Sequence, residues 1–500
     1  MFDLDLTYLL SIASAILGLV LFLRIFPKDN SGRKLPPVPV RTWPLFGNIL
    51  SVPENPRQQF KQWHTQHGNL FSLYLGSTLI VVVNGYKAIK EILVTKGASF
   101  LDRPGMYPNQ VIGMEHTGVG FSCGQYWQET RSATHSILKD LGVGKNILHE
   151  KIQDDIEFLL DRLVQLNGQA TDISHHVHVS ISGIICSIIT GERFSYDDER
   201  FKYNIHYTNQ LASCAKEVAA LNFLPILKYL PGDVLKTKRI REAVEGMKRF
   251  AEFCCNVVNA GTERESFISC FKRKQKEKLA NGRAAILDEE NLKKTVMDLI
   301  AAGTESTSAT IAWCILYLLH HPDVQGKIHE ELDREIGFTR KPSMGDKLKL
   351  PYLEAVIKET QRLASVAPFS MMRVTREDVF VGNFFIPKGT SVIPNLDSVL
   401  HSEEIWGPDV DQFRPTRFLN PDGSVRHPEE FIPFSIGRRN CLGMGLAQME
   451  LFLFLASLFQ KFEFVLPEGV DLPTLKENLG LLAVPTHYKV CCVDRFAEKI

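Results

Sequence analysis

The sequence predicts a mainly helical fold with a small β portion, preceded by one apolar span. Three observations carry this. Residues 6–23 are almost wholly apolar and carry no charge. Helical periodicity recurs between residues 145 and 320, broken by polar connections. Strand-like alternation is confined to short stretches, the clearest over residues 69–83. The chain has 500 residues, 44% hydrophobic and 23% charged, a globular composition. Its formal net charge is zero, so bulk charge points to no polyanionic partner and no nucleic acid is expected. Ten cysteines are scattered without a CxxC pair, which gives no support to a zinc finger or a dithiol redox site. Such spacing fits reduced thiols facing the cytosol.

Residues 6–23 would span about 27 Å as a helix. Asp3 and Asp5 precede them; Arg24, Lys28, Arg33 and Lys34 follow. Basic residues after the span place the body in the cytosol and argue for an uncleaved anchor over a signal peptide. Residues 1–26 are assigned to this anchor. Lys34-Leu35-Pro36-Pro37-Val38-Pro39 opens a proline-stiffened hinge over residues 27–48. Residues 49–500 form the body.

In the body, β-branched runs broken at Gly76-Ser77 predict a hairpin over 69–83, and residues 86–95 a short helix. Residues 117–122 are glycine-rich and fit a mobile loop over a pocket. Trp127 and Arg131 stand at i, i+4, so an indole N–H and a guanidinium share a helix face and can hold one anion. Helices are expected over 152–166, 177–189, 203–221 and 234–278. His175, His176 and His178 do not share a helix face and read as ordinary polar residues. Lys272 to Lys278 reads as a solvated basic face, and residues 279–285 as the loosest segment.

Asp288-Glu289-Glu290 caps a very long helix that runs to His320, where Pro322 opposes continuation. Its middle reads Ala301-Ala302-Gly303-Thr304-Glu305-Ser306-Thr307-Ser308. Small residues let a flat cofactor or another helix approach. An acid beside an alcohol in an apolar groove can pass a proton. Glu359 and Arg362 form an i, i+3 pair in a helix over 352–363; on a surface such a pair contributes about 0.2–0.5 kcal/mol. Residues 385–390 read as a turn in a small sheet.

The chemistry centres on Phe434-Ser-Ile-Gly437-Arg438-Arg439-Asn440-Cys441-Leu442-Gly443, a loop opening an apolar helix over 442–462. A cysteine at a helix N-terminus meets unpaired N–H groups and the positive end of the macrodipole, which lower its pKa. One metal mode needs only a single thiolate: axial ligation of haem iron. Gly437 and Gly443 would let the backbone approach sulfur and porphyrin. Arg439 would pair with a haem propionate.

Phe434, Gly437, Arg439, Cys441 and Gly443 at these spacings resemble the haem-binding signature of the cytochrome P450 family. The resemblance extends from the anchor to about Val493 and implies the mainly α haem-thiolate fold with a small β portion. It implies haem b on Cys441, with Trp127, Arg131 and Arg373 as further propionate contacts. Residues 301–308 resemble the family's oxygen-activation motif, with Glu305 as acid and Ser306 as the alcohol. Serine stands where threonine is usual, which implies looser coupling of electron use to product; Thr307 is the alternative hydroxyl. Glu359 and Arg362, with Arg417 of Pro415-Thr-Arg417-Phe418, resemble the cluster that locks the core behind the haem loop. The hinge departs from the family in Val38, where glycine is usual. Gln448-Met-Glu-Leu-Phe is similar to the microsomal drug- and steroid-metabolising branch.

The resemblance further implies a monooxygenase of the endoplasmic reticulum membrane, acting on a steroid, fatty acid or xenobiotic. NADPH electrons would come from NADPH–cytochrome P450 reductase, with cytochrome b5 as a second donor; the chain has no GxGxxG site of its own. Arg438 is the expected docking contact. Residues 106–113, 297–301, 366–371, a loop within 478–484 and its 480–482 portion are the expected pocket edges. The alternatives are a haem-thiolate isomerase or dehydratase of oxygenated lipids, and a non-catalytic haem sensor.

Overall fold

A computed structural model describes residues 11–12, 14–16, 18, 32–142, 146–259, 265–281 and 286–496. The expected anchor lies almost wholly outside them, as do hinge residues 27–31 and residues 282–285 of the segment read as loosest. The long helices are α1 (Arg57–His67), α2 (Gly124–Asp140), α3 (Asn146–Gln165), α4 (Ile173–Thr190), α5 (Glu199–Ala212), α6 (Ala215–Phe223), α7 (Thr237–Asn259), α8 (Phe267–Ala280), α9 (Glu289–His320), α10 (Pro322–Glu335), α11 (Pro351–Ala364) and α12 (Met444–Lys461). The strands are β1 (Leu70–Leu75), β2 (Thr78–Val83), β3 (Arg373–Val374), β4 (Val379–Val381), β5 (Phe384–Ile386), β6 (Ser391–Pro394), β7 (Phe462–Val465), β8 (Glu477–Leu479), β9 (Ala483–Pro485) and β10 (Cys491–Asp494).

α9 is the axis. Asp288 accepts the Asn291 N–H at 2.7 Å as its N-cap, and the 32 residues extend about 48 Å. It packs against α4, α7, α11 and α12, burying Val296, Ile311, Trp313, Ile315 and Leu316. The main sheet runs β1-β2-β6-β3. β1 and β2 form the expected hairpin, and β2 pairs in parallel with β6, far along the chain. The proline-rich strut touches two sheets: Ser72 N–H of β1 donates to the Pro37 carbonyl and Phe385 N–H, in the separate β4–β5 pair, to that of Lys34, both at 2.8 Å.

Several expectations need correction. The stretch 203–221 divides at Ser213-Cys214, because the kink buries Cys214 against Tyr107, Leu221 and Ile240. The stretch 234–278 also divides: Ser266 and Ser269 cap each other reciprocally and start α8 afresh. Residues 385–386 belong to β5, leaving only 387–389 to turn. The loop expected within 478–484 is the hairpin β8–β9. The helix over 86–95 forms, but widens into a π turn over Glu91–Thr95. Of the clustered histidines, His176 meets the Thr171 hydroxyl at 2.9 Å, while His178 faces Ser182, Asn204 and Thr304, where burial pushes its pKa down to about 4.

Glu359 and Arg362 are fully buried, not a surface pair. Arg362 forks onto Glu359 at 2.8 and 2.9 Å and spends its other arms on the carbonyls of Leu400 and Val410. Arg417 reaches Glu359 at 3.3 Å and Asp409 at 3.1 Å. The Arg414 N–H adds a third donor to the same carboxylate. Glu359→Gln would leave two buried guanidiniums short of charge. It is expected to cost about 3–5 kcal/mol in denaturant unfolding; a loss near that of a surface pair would refute the assignment.

Candidate functional site

The cysteine loop is shaped by turns at both ends. Ser435 N–H donates to the Ile432 carbonyl and takes a positive φ of 60°. Cys441 N–H returns to the Phe434 carbonyl at 2.9 Å, closing the loop. Gly437 has φ +81°, and a Cβ there would stand 2.0 Å from the Leu93 carbonyl oxygen. The loop therefore rests on the π turn of residues 91–95; the constraint on Gly437 is this contact, not approach to the sulfur. Gly443, the N-cap of α12, differs: a Cβ there would meet nothing within 4 Å. Space for a flat group lies beside it.

Cys441 keeps open surface although protein surrounds it on most sides. Burial pushes the thiol pKa up, against the Gly443 N–H and the Arg131 charge, which pull it down. The expected low pKa is thus overturned in the free protein, because desolvation outweighs the helix-terminus effect.

Around the loop, Trp127, Arg131, Arg373 and Arg439 converge. Arg131 donates to the Asn440 carbonyl and side chain, each at 2.9 Å. The Arg439 guanidinium stacks on Trp127 at 4.0 Å, and that of Arg131 lies 6.0 Å from the same ring. Arg373 is fully buried and reaches the Arg439 carbonyl at 3.3 Å. None of the three arginines forms an ion pair among the described residues. Burial, with Arg439 nearby, pushes the Arg373 pKa down to about 9, and burial takes Arg439 to about 10. The buried Trp127 Nε1 and Arg439 Nε have no hydrogen-bond partner. Desolvated cations and orphan donors in one place suit a dianionic edge such as a pair of propionates.

α9 presents two faces here. Gly303 lies against α4, where a Cβ would strike Ile185 at 2.7 Å, so this glycine serves helix packing. Ala302 is open, and the Ser306 hydroxyl donates to its carbonyl at 2.7 Å. Glu305 has an enclosed, unpartnered Oε1, and burial raises its pKa. Thr307 turns away: its hydroxyl donates to buried Glu450 of α12 at 3.2 Å. It is not the second open alcohol that the sequence allowed.

Three residues escaped sequence reasoning. Asp298 accepts the N–H groups of Val119 and Gly120 at 3.0 and 2.9 Å and pairs with Lys294. The carbonyls of Gly120 and Ser122 in turn accept Arg439. Residues 117–122 are therefore pinned between α9 and the cysteine loop and do not form the mobile loop expected. Arg103 braces the same region through the carbonyls of Met371 and Met372 at 2.6 and 2.7 Å. Glu450 forms no ion pair among the described residues, and burial pushes its pKa up to about 8. Its only sequence signal is an acid inside an apolar helical run.

Two outcomes are expected. Gly437→Ala should destabilise even the haem-free protein, by roughly 2 kcal/mol or more, whereas Gly443→Ala should spare that protein's unfolding curve and lower haem content. Equal effects on both curves would refute the division. Glu450 lowers stability as pH rises from its ordinary 4.5 through about 8, because the unfolded chain ionises while the native acid does not. Glu450→Gln should gain on the wild type across that window, by roughly 5 kcal/mol at most. A pH-independent difference in urea unfolding would contradict this.

Residues 36–492 match the family model described as Cytochrome P450. Among curated relatives, "Cytochrome P450 2C39" of Mus musculus is 37% identical, covering 94% of this chain and 96% of its own. "Cytochrome P450 2C3" of Oryctolagus cuniculus is 33% identical over 97% and 99%, and "Cytochrome P450 2D6" of Homo sapiens 35% over 92% and 94%. Matches of this length and depth, on a fold and a cysteine loop of this kind, make the chain a member of the cytochrome P450 family and a haem b monooxygenase.

Proposed function

We propose that the protein is a membrane-anchored enzyme of the endoplasmic reticulum that inserts one oxygen atom from O2 into a lipophilic substrate. Its electrons come from NADPH through a separate reductase, with cytochrome b5 as a second donor. The observation that carries the reading is the gathering of Arg131, Arg439 and Trp127, with Arg373 on the Arg439 carbonyl, next to Cys441 and with no ion pair to any of the three arginines among the described residues. Cys441 would hold the haem iron through its sulfur, and the arginines with Trp127 Nε1 would hold the propionates. Phe434, through its carbonyl, and Gly437 shape the loop; Gly443 leaves room for the ring. Bound there, haem b supplies the iron at which dioxygen is reduced.

The chain's residues supply the protons. Ser306 donates to the Ala302 carbonyl, which leaves its oxygen lone pairs toward the open side of α9. Burial raises the pKa of Glu305, one residue away, so its carboxyl takes up a proton more readily than an exposed acid. Thr307 is committed to Glu450, so Ser306 carries the alcohol role alone. Arg438 is exposed beside the loop and is the docking contact for the reductase. Substrate meets apolar edges at residues 106–113, 297–301, 366–371 and 480–482, which favours a steroid, fatty acid or xenobiotic without a carboxylate anchor.

Incubation of the protein, reductase and NADPH with labelled O2 and a lipid and xenobiotic library tests the reading. One labelled atom per product by mass spectrometry, absent with Cys441→Ala, is expected. Products without label or NADPH use would overturn it in favour of isomerisation. Ser306→Ala should raise peroxide released per NADPH by about tenfold, and Ser306→Thr should lower it. No change in either would remove Ser306 from the proton path.

A further inference from the structure

Arg57, the first residue of α1, lies outside every motif discussed so far. Its guanidinium forks between two acids from distant parts of the chain. Nη1 meets Glu477 Oε2 at 2.7 Å and Nη2 meets Asp397 Oδ1 at 2.5 Å. All three side chains are shielded, with 12–15% of their surface exposed. Asn55 adds a hydrogen bond to the second oxygen of Glu477 at 2.7 Å, and His401 Nδ1 lies 3.0 Å from Asp397. Burial alone would raise the Asp397 carboxyl; His401 and Arg57 overcome it and hold it well below the usual range.

The two acids belong to two edges of the same space. Glu477 opens β8, so it fixes the root of the hairpin whose turn is residues 480–482. Asp397 N–H donates to the Pro368 carbonyl at 3.1 Å, and Ser370 N–H to that of Pro394, so Asp397 fixes the segment 366–371. The segments meet again where Ala483 N–H donates to the Val366 carbonyl at 2.8 Å, and Trp313 of α9 donates to the Ala483 carbonyl. At the tip, a Cβ on Gly480 would stand 3.3 Å from that of Ala215 at the start of α6. The hairpin thus bridges α9, segment 366–371 and the α5–α6 junction, and Arg57 holds both roots from outside.

We propose that Arg57 is a specificity-determining positioning residue, a strut that sets the opening between the hairpin β8–β9 and segment 366–371 and so the size of apolar ligand admitted. This rests on the haem-pocket reading above. Lysine would replace it poorly, because one ammonium cannot fork to two separated carboxylates as a guanidinium does. Loss of the strut leaves two shielded carboxylates short of a counter-charge, and the hairpin root is the freer to move.

The test uses the haem-loaded full chain, with Arg57→Gln, Arg57→Lys and Glu477→Gln. Hydrogen exchange over residues 477–485 should quicken by about tenfold in Arg57→Gln, and less in Arg57→Lys. Optical titration with 1-alkylimidazoles, from methyl to octyl, reads the opening through ligand binding at the iron. The ratio of octyl to methyl Kd should shift by about tenfold in Arg57→Gln, while the methyl Kd alone stays near the wild-type value. Unchanged exchange, or quickened exchange with an unchanged ratio, would overturn the proposal. If Arg57→Gln does not fold, Glu477→Gln, which keeps the Asp397 pair, must show the same changes in smaller degree; their absence overturns it equally. A wild-type haem spectrum indifferent to every imidazole would instead defeat the haem-pocket reading, and hydrogen exchange would still decide the strut.

Discussion

One carboxylate without solvent organises the C-terminal third of this protein. Glu359 neutralises Arg362 and Arg417 together, and those two arginines collect the carbonyls of Leu400, Trp406, Asp409 and Val410. Taking three charges out of water is costly unless every donor and acceptor is used, and here nearly every one is. The stretch from α11 to the cysteine loop has little regular structure, so a charged hub replaces the ladders that would otherwise fix it. The hub ties α11 to residues 400–417, the segment that precedes the cysteine loop.

The opposite logic holds around Trp127. There, cations are gathered and left without carboxylates: Arg131, Arg373 and Arg439 lean on carbonyls and on the Trp127 ring. The two arginine clusters therefore have opposite electrostatic character. The satisfied one is architecture. The other is kept in place by the pinned residues 118–122, which offer carbonyls to Arg439 and N–H groups to Asp298.

What the sequence made legible was local. Asp288 and Pro322 bracket α9, Gly76-Ser77 breaks the first hairpin, and the cysteine loop announces itself by spacing. What it hid depended on neighbours far along the chain. Nothing near Cys214 punctuates the helix; the kink follows from a burial site supplied by Tyr107 and Ile240. Gly303 and Ala302 are equally small, and only the arrival of Ile185 separates packing from cleft. Thr307 and Ser306 are adjacent alcohols, distinguished by Glu450 on another helix. The thiol pKa was misjudged for the same reason: the helix terminus is visible in sequence, and the desolvation that outweighs it is not.

The contact between Gly437 and the Leu93 carbonyl joins parts of the chain that are otherwise remote. The π turn that aims this carbonyl and the glycine that receives it act as the two halves of one mould. A chimera that carries the cysteine loop onto the N-terminal body of a relative must bring a turn of the same width, or the loop will be cast in the wrong shape. Exchange of segments across this boundary is thus governed by backbone bulk, and similarity of side chains is no guide to which junctions will work.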